Sequence, residues 1–465
     1  MPFRFDIPTA VRGVGWPALP NARGAALLAL FAQLERSQWL PREELERRQF
    51  EQLARVATHA HETIPFYRRR FEAAELKPWL GIDRQSWSRL ALLSRGEVQT
   101  AGEQLRSRSP PAEHGALSHA FTSGSTGQPV KIVKTGVTNL LWSALTLRDH
   151  AWHDRDMRGK LAAIRWMPSG EARPPDGLTA KDWGAATADV AATGASVALD
   201  IQSSPAEQAE WLARHDPDYL LIYPSAVRPL IRALEDRAAR LSRLRQVCTL
   251  GETCGDEVRL ACQRAWGAPV VDMYSSQEFG YLALQCPTAP RYHVQAEHVL
   301  VEVLDEQGRE CLPGQRGRVV VSSLNNFAKP LFRYEIGDWA EVGEPCACGR
   351  GLPVLERVLG RERNMVLLAD GGRRRASVIL SDIEELSLAG AIRQFQLAQL
   401  AIDRLEMLLV ADRRLSPSEE ASILACVHRA VGHAMPTTIR YVDAIPRAAG
   451  GKLDDFVRLI EPPAE

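Results

Sequence analysis

HAFTSGSTGQPVKIVKT, residues 119–135, places Gly124, Gly127 and a run of hydroxyls between an apolar approach and a Val/Ile strand. Backbone N–H groups and small hydroxyl side chains in such a run suit phosphate oxygens. The two glycines lie three apart and no Gly-Lys-Ser/Thr follows, so this is not the loop of the P-loop NTPases. A cation for the phosphates must come from elsewhere in the chain.

Candidates are few. The 57 basic residues include only seven lysines, Lys77, Lys131, Lys134, Lys160, Lys181, Lys329 and Lys452. The 57 acidic residues balance them to zero net charge, which favours small-molecule partners over nucleic acid or an anionic membrane. A chain of 465 residues exceeds one ordinary core and implies two or three domains. The apolar run from Ala25 to Ala32 falls far short of the roughly 20 residues of a membrane span, and no signal peptide is evident. These features predict a cytoplasmic protein. Eight cysteines are too sparse for a disulfide scaffold and fit metal binding or reduced thiols.

Residues 41–76 begin with Pro and acids, then place Phe50, Leu53, Ala57 and Ala60 at helical spacing, predicting an amphipathic helix and a second short one. From about 137 to 300, helical segments alternate with LAAIRWM, ASVALDI, DYLLIY, QVCTL and PVVDMY. That alternation predicts an α/β domain with a mainly parallel sheet, with ligands at the carboxyl ends of its strands. Residues 295–343 read as antiparallel strands with Gly and Pro turns, an antiparallel β subdomain. After Gly360-Arg361 come QFQLAQLAI, LEMLLVAD, the capped helix SPSEEASILACVHRAVGHA and TTIRYVDAIP, a small α+β domain. The predicted division is 1–360 for the large domain and 361–465 for the small, mobile one.

Three further stretches carry chemistry. VDMYSSQEFG (271–280) sets an aromatic and then an acid after a buried strand, FRYEIGD (332–338) sets an acid at a turn, and PRAAGGKLDDF (446–456) sets Lys452 in a glycine turn. In this order and spacing they resemble the adenylate-forming superfamily of acyl- and aryl-CoA synthetases, luciferases and peptide-synthetase adenylation domains. WLPREELERRQFEQLARVATHAHETIPFYRRRF and GLPVLERVLGR, preceded by Cys-Ala-Cys-Gly-Arg, resemble the phenylacetate-coenzyme A ligase branch. The resemblance covers about residue 35 to 460.

The resemblance implies ATP phosphates held by Thr122, Ser123, Gly124, Ser125, Thr126 and Gly127, with Lys452 as the catalytic cation. A positioned cation stabilises the charge that builds as a carboxylate attacks the α-phosphate. Glu278 matches the second catalytic residue, holding Mg2+, a hard ion suited to carboxylate oxygen. Tyr274 matches the residue packed on adenine, Gly251 and Glu252 the loop beside it, Asp338 the acid on the ribose hydroxyls, and Arg361 the junction arginine. Ser275 belongs to the same nucleotide set, although Ser275 and Gln277 stand where relatives carry a glycine and a hydroxyl. Further departures are Val130, where a lysine is common and Lys131 follows one place later, Arg363 and Asn364 at the hinge, and Glu335 for a frequent arginine. Tyr223, Pro224, Ser225, Phe279 and Tyr281 are expected to line the acid pocket. His59, His61 and His150 read as ordinary surface or core residues, with one available to a substrate group.

The implied reaction joins a carboxylic acid, aryl or arylacetic, to ATP, giving an acyl adenylate and pyrophosphate, and then transfers the acyl group to the thiol of coenzyme A. A carrier-protein thiol or an amine is an alternative acceptor, and a nonenzymatic nucleotide-binding scaffold is the rival reading. Cys286, His293, Cys346 and Cys348 offer three thiolates and an imidazole, the set of a closed structural zinc site. The other four cysteines read as buried thiols or, for Cys311, as a turn residue with no evident partner.

Overall fold

The computed structural model describes residues 5–121, 130–168, 170–361, 365–369, 373–375, 391–432, 435–447, 451, 453 and 456–460. The amphipathic segment forms the helix Arg42–Thr63, with Glu43 and Glu44 in its first turn and Phe50, Leu53, Ala57 and Ala60 buried, followed by the helix Pro65–Ala73. Acids at the amino end complement the helix dipole, and the buried stripe supplies the packing face. The pair leans on the antiparallel region, where Gln49 donates to the carbonyls of Ala296 and Val299 and the Tyr67 hydroxyl donates to that of Pro330 at 2.8 Å.

The five apolar runs become parallel strands, in spatial order Ser196–Asp200, Leu161–Arg165, Tyr219–Ile222, Gln246–Leu250 and Val270–Ser276. Such strands are apolar on both sides because both faces are covered. At Val270–Ser276 the chain turns straight back as Gly280–Gln285, and the antiparallel strands follow from there, so a single sheet of twelve strands runs from Leu178–Ala180 at one edge to Val299–Leu304 at the other. The expected antiparallel subdomain is therefore continuous with the parallel part.

The helix Gly136–Trp152, capped by the Thr135 side chain on the Thr138 N–H, lies between the sheet and the helix Ala22–Ser37. Its Ala144, Leu145 and Leu147 meet Leu27, Phe31 and Leu34 on one side and Cys248, Met273 and Leu284 on the other. The strands Ser118–Phe121 and Lys131–Lys134 pair antiparallel, Phe121 opposite Lys131, on either side of the glycine and hydroxyl run. A second, four-stranded sheet, ordered Thr437–Tyr441, Arg404–Ala411, Ile392–Ala401 and Phe456–Arg458, carries the helix Pro417–Val431 and has its own core of Leu397, Met407, Leu409, Ile423 and Val427. Among the described residues, no helix is long and apolar enough to cross a membrane.

Arg148 is fully buried. It pairs with Glu297 at 2.9 Å and donates to Gln295 at 2.9 Å and to the carbonyl of Leu34. Removing one partner of a buried pair strands the other, at a cost of about 3–5 kcal/mol. Arg148→Ala should lower the urea midpoint accordingly, whereas the exposed Arg47→Ala, which loses only surface pairs to Glu44 and Glu51, should shift it by less than about 1 kcal/mol.

Candidate functional site

A cleft of about 2320 Å³ opens at the carboxyl ends of the parallel strands and is bounded on its far side by the second sheet. The site residues converge there because seven of them lie at or just after the ends of three strands. Tyr223 to Ser225 follow Tyr219–Ile222, Gly251 and Glu252 follow Gln246–Leu250, and Tyr274 and Ser275 end Val270–Ser276. Gly251 holds φ +78°, a left-handed turn that suits glycine and delivers Glu252 to the cleft wall.

On the antiparallel side, Asp338 and Arg361 sit opposite each other in register on neighbouring strands, with Arg361 Nε 3.6 Å from the carboxylate. The Tyr274 hydroxyl donates to the same carboxylate at 2.8 Å. Burial, reinforced by Asp338, pushes the Tyr274 phenol far up, so it stays a donor. The three expected nucleotide residues thus form one contact group around an anionic acceptor.

Glu278 lies in the turn between Val270–Ser276 and Gly280–Gln285, its side chain 8% exposed and 3.8 Å from Arg95. Lys134 also borders the cleft; burial pushes its ammonium down, and the charge of Glu278 opposes that shift. Lys131 instead reaches outward to Glu103 at 3.0 Å. Arg95 went unrecognised in the sequence, and Lys134 stood there only as one of seven lysines. Strand alternation puts Lys131 and Lys134 on opposite faces, and the spacing alone does not say which face is inward. A carboxylate held only by a long ion pair retains oxygen lone pairs for a hard divalent ion.

Glu252 and Ser225 come together and meet the second sheet's unit. The buried Glu252 carboxylate accepts from the Ser225 N–H at 2.9 Å, the Ser225 hydroxyl at 3.1 Å and the Leu453 N–H at 2.8 Å. Burial, the largest effect, pushes its pKa up against these donors. Arg447 donates to the Ser225 hydroxyl at 2.9 Å and to the Gly451 carbonyl at 3.0 Å. Gly451 holds φ +76°, and a Cβ there would come within 2.5 Å of Ile201 and 3.2 Å of Trp166. Lys452 itself, Thr122 to Gly127, and Arg363 with Asn364 lie outside the described residues.

The remaining expected pocket residues all border the cleft. The Tyr223 hydroxyl accepts from the Trp166 N–H at 3.4 Å, and Pro224 opens the helix Pro224–Glu235. Phe279 packs on Tyr334 at 6.2 Å between ring centroids, and Tyr281 stacks on Trp142 at 6.2 Å with its hydroxyl on Thr146. The helix face that carries Trp142 was another omission, since Gly136–Trp152 is largely apolar all round and its sequence singles out no face.

A second cluster lies at the strands Gly280–Gln285 and Tyr292–Val294, with the His293 ring edge-on to Trp152. The ligand atoms of Cys286, His293, Cys346 and Cys348 lie within 4.8 Å of one another. Cys286 and Cys346 sulfurs are 3.7 Å apart, and the Cys348 sulfur is 3.3 Å from His293 Nε2. Bonds of about 2.3 Å to sulfur and 2.0–2.1 Å to nitrogen give a tetrahedron with edges of roughly 3.5–3.8 Å. The donor set therefore fits a zinc-sized centre. Burial pushes the His293 imidazole down to about 4, leaving it neutral.

With this geometry established, comparison with known proteins is informative. A family model described as AMP-binding enzyme matches residues 184–329, and one described as CapK C-terminal domain matches 371–458. A phenylacetate-coenzyme A ligase of Thermus thermophilus is 27% identical over 370 residues, covering 75% of this chain and 76% of its own. The chain is an adenylate-forming enzyme, as its match to the AMP-binding enzyme model and its likeness to phenylacetate-coenzyme A ligases indicate. Solved adenylate-forming ligases share the fold. A 2-hydroxyisobutyryl-CoA ligase in the postadenylation state with 2-HIB-AMP superposes with TM-score 0.72 at 18% identity, covering 91% of each chain. The same ligase in its thioesterification state superposes with TM-score 0.59 at 18% identity, again covering 91% of each chain.

In this adenylate-forming enzyme Glu252 links the cleft to the second unit through one N–H and one cationic neighbour. Glu252→Gln keeps the shape but sets an NH2 against one of the donors, a loss of about 1.5–3 kcal/mol for a charged acceptor. Limited proteolysis should then cut between the two cores about tenfold faster than in the parent protein, and an unchanged cleavage rate would show that the contact does not hold them together.

Proposed function

We propose that the enzyme activates a carboxylic acid, aryl or arylacetic, with ATP to an acyl adenylate, releasing pyrophosphate, and transfers the acyl group to the thiol of coenzyme A. The observation that carries this reading is the seating of Gly451 and Leu453, the residues on either side of Lys452, against Trp166, Ile201 and Glu252 at the cleft. That seating supports a role for Lys452 near the strand ends, where nucleotide and acid would meet. The closer superposition on the postadenylation form than on the thioesterification form agrees with it.

In this reading Thr122 to Gly127 and Lys452 hold the phosphates, and Lys452 offsets the charge that moves onto them. Asp338 accepts the ribose hydroxyls, oriented by Tyr274 and Arg361. Tyr274 and the Gly251–Glu252 turn flank the base, and Ser275 lies beside the phosphates. Glu278 would hold Mg2+, which supplies neutralisation of phosphate charge when bound. Tyr223, Pro224, Phe279 and Tyr281 enclose the acid. Residues 361–465 act as the mobile domain, which must leave Glu252 and Ser225 for the thiol to enter. The eight unbridged cysteines fit a reducing compartment, and we place the enzyme in the cytoplasm.

Two measurements test this assignment. Lys452→Ala should lower ATP-pyrophosphate exchange by about 10²–10³-fold while thioester formation from supplied acyl adenylate stays within a few-fold; equal loss of both half-reactions would overturn the role. For the cysteine cluster we assign a structural zinc held by Cys286, His293, Cys346 and Cys348. Elemental analysis should return about one zinc per chain, and Cys348→Ser should lose it with a lower Tm. A metal-free wild-type protein with an unchanged Tm on chelation would refute the zinc.

A further inference from the structure

One face of the helix Gly136–Trp152 borders the cleft along its whole length, through Thr138, Asn139, Trp142, Thr146, Asp149 and His150. Steps of three and four put these on a single stripe, and at 1.5 Å per residue Thr138 and His150 stand about 18 Å apart along the axis. The opposite wall is the sheet face, where Leu161, Ala163, Ser196, Ala198 and Leu221 also border the cleft and are only partly buried. Interior positions of a covered parallel sheet are ordinarily sealed. Here small side chains in mid-sheet leave a channel between helix and sheet. It runs from the carboxyl ends of the strands to their amino ends, since Leu161 and Ser196 open their strands. Trp142, 42% exposed, borders this space.

The channel ends on a fixed donor. Arg155 Nη1 lies 3.0 Å from His150 Nδ1, and a guanidinium can only donate, so Nδ1 accepts and the ring proton sits on Nε2. Arg155 is itself held by Gln246 at 2.6 Å and by Asp149. The His150 ring packs edge-on against Trp183 at 5.2 Å, and the Trp183 indole N–H is anchored on the Gly159 carbonyl at 2.9 Å. Among the described residues the ring's hydrogen bond is the one through Nδ1, and His150 borders the channel. Burial and the neighbouring Arg155 charge push this imidazole down to about 3, so it remains a neutral donor at any physiological pH. Between the mouth and His150, Trp142, Tyr281, Ala163 and Leu221 give the walls an apolar part that suits hydrocarbon, beside the polar Asn139 and Thr146 of the helix.

We infer that the acid activated here is elongated, with a hydrocarbon body lying in the helix–sheet channel and a distal oxygen acceptor, a hydroxyl, ether or carbonyl, taking the Nε2 proton of His150. This rests on the adenylation reading of the cleft and refines it, since a compact arylacetate would occupy only the mouth.

Calorimetric titration of omega-hydroxydodecanoate and dodecanoate, with and without ATP, tests it on folded protein verified by circular dichroism. The wild-type enzyme should bind the hydroxy acid about tenfold more tightly than the plain chain, and His150→Phe, which retains ring packing against Trp183, should bring that ratio to near unity. Ala163→Leu, which narrows the channel midway, should weaken both acids about tenfold. Equal affinities for the two acids in the wild type, no binding of either, or an unaltered ratio in His150→Phe would overturn the inference. Pyrophosphate exchange with the bound acid is a separate readout. Binding with the expected ratio but no exchange would support the channel and count against adenylation alone.

Discussion

Every contact in the site depends on the point at which the sheet changes direction. Five parallel strands need crossovers and leave their carboxyl ends open, while the hairpin from Val270–Ser276 into Gly280–Gln285 makes the next neighbour antiparallel. That one hairpin brings Tyr274 and Glu278 to the open ends and lets the antiparallel strands carry Asp338 and Arg361 around to meet them. Separate sheets would leave the two halves of the proposed nucleotide site free to drift apart. The shared backbone hydrogen bonds fix them in one register, and Tyr274 can therefore reach Asp338 across 64 positions of sequence.

Much of this was legible in the chain itself. The parallel strands announced themselves as short apolar runs, the C-terminal helix by its Ser416 and Glu419 capping box, and the metal-type cluster by the spacing of its cysteines and histidine. Tyr274, Asp338 and Arg361 were legible by resemblance, and the structure brings them into contact. Other features depend on facts that spacing cannot carry. Lys131 and Lys134 differ only in parity, and the hairpin register decides which one faces Glu278. Arg95 meets Glu278 across 183 positions, a tertiary coincidence with no local signal. The lining of the Gly136–Trp152 helix was hidden because a helix apolar on most sides does not advertise which stripe borders a hollow.

The seam between the two cores is polar. Glu252, Ser225 and Arg447 form one part of it, and Arg232 of the helix Pro224–Glu235 pairs with Asp412, at the end of the strand Arg404–Ala411, in another. Groups of this kind exchange protein partners for water at a small net cost, unlike a packed apolar interface. In the proposed two-step reaction, a small domain that leaves its seat between half-reactions would be well served by such a boundary. The tight approach of Gly451 to Ile201 adds shape without adding much apolar area to be torn open.

The cysteine and histidine cluster has a different kind of consequence. Its ligands form two pairs, Cys286 with His293 and Cys346 with Cys348, separated by about fifty residues that include the strands carrying Asp338. A cation there would act as a clasp on a long loop, removing configurations from the unfolded chain rather than adding contacts to the folded one. Among the described residues, the contacts of the clasp fall within the large domain, on Val354 and Trp152. In the proposed reaction, the side of the site that carries Asp338 would then be tensioned whether the small domain is seated or away, and would keep its geometry while the other half moves.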